Sequence, residues 1–153
     1  MKRAFLYNLL LFIFYHGIAQ ELEIKYYPSF HLNGRCIIKC NGDTCIMQLD
    51  VIDRKDSTKI LWSETKVVPE KYLEEINRIL GTAKHITSTE PFCFDGMYII
   101  GIFENDTLQY KFVCHCPFEE LQYVFVKQTI KTMLKILKNR KSMRYVRVIR
   151  EYQ

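Results

Sequence analysis

Apolar residues recur along this chain with a period that changes from two to about 3.6 and back, and each change marks an expected element. Between Glu21 and Phe30, Leu22, Ile24 and Tyr26 stand two apart, the repeat of a half-buried strand, which Pro28 and the His31-Leu32-Asn33-Gly34 run bring to an end. Arg35 to Cys40 and Cys45 to Ile52 flank Asn41-Gly42-Asp43-Thr44, and Asn-Gly between apolar runs is a strong hairpin signal. A two- or four-residue loop puts Cys36, Ile38 and Cys40 on one sheet face with Cys45, Met47, Leu49 and Val51. A slip of one residue would send that whole set into water, so the register is well determined. Thr58 to Val67, with Ile60 and Trp62, predicts a further strand.

The period then lengthens. Pro69 suits a first helical position, Glu70 the positive end of the helix dipole and Gly81 the residue after the last turn, which predicts a helix over Pro69 to Leu80. Tyr72, Leu73, Ile76, Ile79 and Leu80 form its buried stripe, and Thr82 to Pro91 reads as a loop. A second hairpin joins Met97–Phe103 to Leu108–Cys116 through Asn105-Asp106, with Met97, Ile99, Gly101 and Phe103 facing the same way as Leu108, Tyr110, Phe112, Cys114 and Cys116. Pro117 opens a last helix, Phe118 to Leu137, burying Tyr123, Val126, Ile130, Met133, Leu134 and Leu137. Beyond Lys138 the pattern weakens to a basic tail or a short edge strand over Met143 to Ile149. The expected class is therefore α+β, in the order β-β-β-β-α-β-β-α. It is a mainly antiparallel sheet of about six strands with two clear hairpins and two helices packed on one face.

The N-terminus changes the compartment. Met1-Lys2-Arg3 is a short cationic start, Ala4 to Tyr15 is apolar except for Asn8, and Gly17 and Ala19 are the small residues of a signal-peptidase site. The apolar run is shorter than the ~18–20 residues that span a bilayer, which favours a cleaved signal over a retained anchor. The division that follows is 1–19 signal peptide, 20–138 a single α+β domain and 139–153 the basic C-terminal segment. The expected location is secreted or periplasmic. The 134 residues after Ala19 suffice for one core.

Export makes the six cysteines a disulfide set: Cys36, Cys40, Cys45, Cys93, Cys114 and Cys116. Cys40 and Cys45 stand opposite each other across the first hairpin, within bridging distance. Cys114 and Cys116 are two apart on one strand and do not suit each other, so one of them takes Cys93. The other reaches Cys36 only where the two hairpins are neighbours. A competing reading makes Cys114-His115-Cys116 a thiol-redox or metal site. The spacing of one residue is wrong for a redox pair, and the zinc-knuckle spacing is missing.

No other constellation carries catalysis. There is no Gly-x-Ser-x-Gly, His-Glu-x-x-His or phosphate-cradling glycine run, and no metal or cofactor is expected. Glu74-Glu75 and Glu119-Glu120 are adjacent on helices and diverge by ~100°. Asn105-Asp106-Thr107 is a formal glycosylation sequon.

Charge and aromatic content point to binding instead. Of the net +5, residues 138–153 hold Lys138, Arg140, Lys141, Arg144, Arg147 and Arg150 against Glu151, leaving residues 20–137 slightly acidic. Such a segment suits an acidic partner or peripheral contact with an anionic membrane surface, and export argues against nucleic acid. Ten Tyr, ten Phe and one Trp exceed what two helices can cover. Tyr26, Trp62, Tyr98 and Tyr110 therefore either thicken a one-sided core or form a binding face on the uncovered side of the sheet. Together these features describe a small exported, non-enzymatic binding or inhibitor-type protein, immunity-like or envelope-associated, whose partner is another protein or an envelope component. A thiol-dependent enzyme using Cys114, His115 and Cys116 and a periplasmic chaperone or scaffold are the alternatives.

Overall fold

The computed structural model describes residues 19–88, 96–115 and 120–151. Six strands form one antiparallel sheet: β1 (Gln20–Pro28), β2 (Asn33–Asn41), β3 (Thr44–Ile52), β4 (Ile60–Val67), β5 (Gly96–Glu104) and β6 (Thr107–His115). Their order across the sheet is β4-β3-β2-β1-β5-β6. A 3-10 turn, Glu70–Tyr72, leads into α1 (Leu73–Ala83), and α2 (Glu120–Ile136) and α3 (Arg140–Arg150) follow β6. The α+β class, the antiparallel sheet and the helices packed on it are as the periodicity predicts.

The first hairpin keeps the expected register, with Cys40 opposite Cys45, Ile38 opposite Met47 and Cys36 opposite Leu49. Its loop is the tight Gly42-Asp43 pair, Gly42 taking a φ of 56° that costs glycine little. In β1, the alternation of Leu22, Ile24 and Tyr26 into the core holds through Pro28.

The second hairpin differs by one face. Asn105 and Asp106 both adopt positive φ, as a two-residue mirror-image turn requires. Next to it, Ile102 pairs with Tyr110 but Phe103 pairs with Leu108, so Gln109 is an extra residue in β6. This bulge reverses the facing of everything beyond it. Tyr98, Ile100 and Ile102 enter the core, opposite Cys114, Phe112 and Tyr110, in place of the expected Met97, Ile99 and Gly101.

The helices depart from expectation at their ends. α1 continues through Gly81 to Ala83, because Ala83 is itself buried. In α2 the buried stripe is rotated toward Phe125, Gln122 and Thr129, leaving Tyr123 exposed. Two polar contacts account for that rotation: Gln122 Nε2 donates to Thr87 O at 2.8 Å, and Thr132 Oγ1 donates to Glu75 Oε1 at 2.6 Å. Lys135 Nζ, 2.7 Å from Glu75 Oε2, completes the tie between α1 and α2.

Residues 139–153 were expected as a basic tail or short edge strand, and this is corrected: Arg140–Arg150 is a third helix. Asn139 caps it, accepting from Lys141 N at 2.9 Å, and Ser142, Tyr145, Val146 and Ile149 are buried beneath it. Their 3, 4, 7 spacing is helical, and the interleaved arginines stand on the opposite side. The core is one cluster drawn from the helix-facing side of the sheet and the buried stripes of the three helices.

Candidate functional site

Reading across the sheet, Trp62, Val51, Gly34, Tyr26, Tyr98 and Cys114 stand directly opposite one another, one from each strand. All six lie on the helix-covered face, and α3 is laid over this row. Trp62 Nε1 donates to Ser142 Oγ at 2.9 Å, Tyr145 lies over Gly34, and the Tyr98 hydroxyl approaches Ile149 O at 3.5 Å.

Of the two readings of the aromatics, core or open face, this row favours the core side of the sheet. Tyr26 and Tyr98 are 1% and 3% exposed, packed edge to face at 5.0 Å in the core. Burial, reinforced by the neighbouring Cys36, Tyr98 and Tyr145, pushes the Tyr26 phenol well above its ordinary range. Tyr110 is 54% exposed, but on edge strand β6, facing the helix side and stacked on Phe112. Trp62 is half-buried beside α3. Tyr26, Trp62 and Tyr98 face the helix layer because the third helix adds cover over this row, while Tyr110, at the far edge of the sheet, stays largely in solvent.

The uncovered face is held together by charge. Asp50, with no side-chain exposure, accepts from Arg35 Nε at 3.0 Å and Nη2 at 2.7 Å, from Gln48 at 2.9 Å and from Ser63 at 2.7 Å. Burial pushes the Asp50 carboxyl up, but the hydrogen bonds from Ser63, Gln48 and Arg35 outweigh it and hold the group below its ordinary value. Glu23 lies 3.8 Å from Arg35 and 3.4 Å from Lys25, and Lys39 bridges Glu21 at 3.2 Å and Asp106 at 2.9 Å. These groups satisfy one another.

The site with spare capacity lies between α3 and the sheet end formed by the β1–β2 turn and the start of β4. There a groove of about 470 Å³ is bounded by Leu32, Leu61 and Trp62 on one side and Lys141, Arg144 and Val148 on the other. The Lys141 ammonium sits 4.8 Å from the centre of the Trp62 ring. A second depression of about 640 Å³ on the outer surface of α3 shares Lys141, Arg144 and Val148 and adds Lys138, Arg140 and Arg147, with Glu151 at its end. The basic residues expected in the tail are thus arrayed along a rigid helix, with Arg150 in its last turn.

What fixes that helix is Glu64 of β4. It is buried on the helix side, and its Oε1 accepts from Lys138 N and Asn139 N, both at 3.2 Å. The carboxylate therefore meets the positive end of the α3 dipole. No sequence motif marks this role, although a lone glutamate at an inward strand position is its visible trace.

Of the cysteines, Cys40 and Cys45 form a disulfide. Cys36 is a buried free thiol, raised to about 12 by burial and by the nearby Asp50 charge. The condition for a bond from Cys36 to the second hairpin, that the two hairpins be neighbours, is not met: β1 and β5 separate β2 from β6 by roughly 14 Å, twice the reach of a disulfide to Cys114. Cys114 is fully buried, while Cys93 and Cys116 and the side chain of His115 lie outside the described residues, as does the 1–18 segment. Among the described residues, no three His, Cys, Asp or Glu gather as a metal site would need, and no helix is long and apolar enough to cross a membrane.

Fold and site together define an α+β protein with a cationic, aromatic-floored groove. Comparison with family models, with curated proteins and with solved structures finds no match.

Proposed function

We propose that this is an exported, non-enzymatic binding protein, secreted or periplasmic, that holds another protein or an envelope component in the groove between α3 and β4. The observation that carries this reading is the fixed geometry of Trp62, tied to Ser142 and flanked by Lys141 in an otherwise accessible groove. A rigid aromatic with cations around it is the composition of an interaction hot spot. The Cys40–Cys45 disulfide suits an oxidising compartment. Full burial of Cys114 disfavours the thiol-enzyme alternative, because a nucleophilic thiolate needs access to its substrate. Contact with an anionic membrane, if made through α3, is limited to charge, since the apolar side of that helix is already used against the sheet.

The test compares immobilised wild type with the Trp62→Ala/Arg144→Glu double variant as baits for the extracellular or envelope fraction. A component retained by wild type and lost by the variant supports the reading; equal retention by both sinks the groove as the site. N-terminal sequencing of the exported product is expected to start at Gln20.

A further inference from the structure

The occupant of the groove is narrowed by the strand beside it. β4 is an edge strand, and of its eight residues only Glu64 is buried. Ile60, Leu61 and Val67 leave 48%, 44% and 67% of their surfaces in solvent. The opposite edge, β6, is treated differently. There the outward amide of Val113 donates to Ser88 Oγ at 3.1 Å, and Gln122 pins Thr87 of the same segment. Ser63, Thr65 and Lys66 are exposed as well and one bulge interrupts the β3–β4 pairing at Leu61, yet the strand stands at the sheet edge, a pairing template that proteins ordinarily blunt. Here it runs past the mouth of a cationic groove.

Resting on the binding reading above, we propose that the groove receives an extended acidic segment of a second protein, added antiparallel or parallel along the outer edge of β4. Main-chain hydrogen bonds to β4 would supply affinity independent of sequence, and every second side chain would point to the helix side. On that side Lys66, Lys141 and Arg144 await carboxylates, while Leu32, Leu61 and Val148 leave room for one apolar anchor. The charge track continues over α3 through Arg140 and Arg147, longer than a small anion needs and suited to a chain bearing several carboxylates. A lipid surface is the poorer match, because α3 has no free apolar side to insert.

Trp62 is the only tryptophan, so its fluorescence reports the groove directly. The probe is a synthetic decapeptide alternating glutamate with valine around a central phenylalanine, alongside two versions N-methylated at every second amide on either parity. The unmodified peptide is expected to shift Trp62 emission saturably. Methylation on one parity should abolish the shift and on the other leave the affinity within about twofold. Lys141→Glu and Arg144→Glu, both at exposed positions, should each weaken binding about tenfold. Equal loss on both parities, or no response to the peptide, overturns strand addition. A response to a single-stranded oligonucleotide or to phosphatidylglycerol vesicles with none to the peptide overturns the acidic-segment proposal but leaves a binding groove. Unchanged partner capture by the Trp62→Ala/Arg144→Glu variant would remove the groove itself.

Discussion

Tyr145 of α3 occupies the space above Gly34 of β2 that any side chain there would need, and its hydroxyl donates to Leu32 O at 3.2 Å. The helix bearing the groove is thereby seated on the sheet at one point where backbone and ring meet directly. Gly34→Ala is expected to cost about 1–3 kcal/mol by overpacking. Urea unfolding measures it, and Tyr145→Leu in the same chain should recover part of the loss. An unchanged midpoint in Gly34→Ala would mean the ring is not held there.

Asp50 governs the acid limb of stability. Its folded-state value lies below the ordinary carboxylate value of ~3.9, so it stabilises fully above that value and the contribution is lost as pH falls through the folded value. Glu75, raised by burial but lowered further by Lys135 and Thr132, acts with the same sign. Asp50→Asn should flatten the stability profile between about pH 5 and pH 2. Arg35→Ala, which leaves Asp50 buried with fewer partners, should cost about 1–3 kcal/mol at pH 7. Thermal melts across that pH range check both.

Cys36 is expected to resist alkylation in the folded protein. Its thiol is buried and raised to about 12, so at pH 8 the thiolate fraction is on the order of 10⁻⁴ before access is considered. Pulse labelling with iodoacetamide followed by peptide mapping should modify Cys36 only in denaturant. Rapid native labelling would contradict the buried position.

The Cys40–Cys45 bridge spans a sequence separation of only five, and the loop-entropy model assigns it about 2 kcal/mol. Reduction should lower the urea midpoint accordingly without changing the hairpin, because the Gly42-Asp43 turn and the Asn41–Thr44 pairing fix the register independently. Amide exchange of β2 and β3 with and without reductant is the check.

Glu64→Leu is expected to free the start of α3, raising amide exchange at Lys138 and Asn139 and costing about 1–2 kcal/mol. A comparable loss with no change in exchange at those amides would place the effect in β4 instead.

How far the chain was legible depends on the range of the signal. The alternation of Leu22, Ile24 and Tyr26, the Asn41-Gly42 hairpin and the α1 stripe are local patterns set by the period of one element, and they carry the α+β class unaided. A single extra residue, Gln109, was enough to invert the second hairpin, because facing in a strand has a period of two and no local pattern marks a bulge. The Arg140–Arg150 helix was written in Ser142, Tyr145, Val146 and Ile149, but its arginines masked an apolar stripe that matters only once a sheet lies beneath it. What tertiary structure alone decided is which strands are neighbours. Inserting β1 between the two hairpins keeps Cys36 from Cys114, brings Trp62, Gly34, Tyr26 and Tyr98 into one row and leaves β4 at the edge. Such pairings join residues distant along the chain, and the energy that selects them is the burial of the common core, which no short stretch of sequence contains.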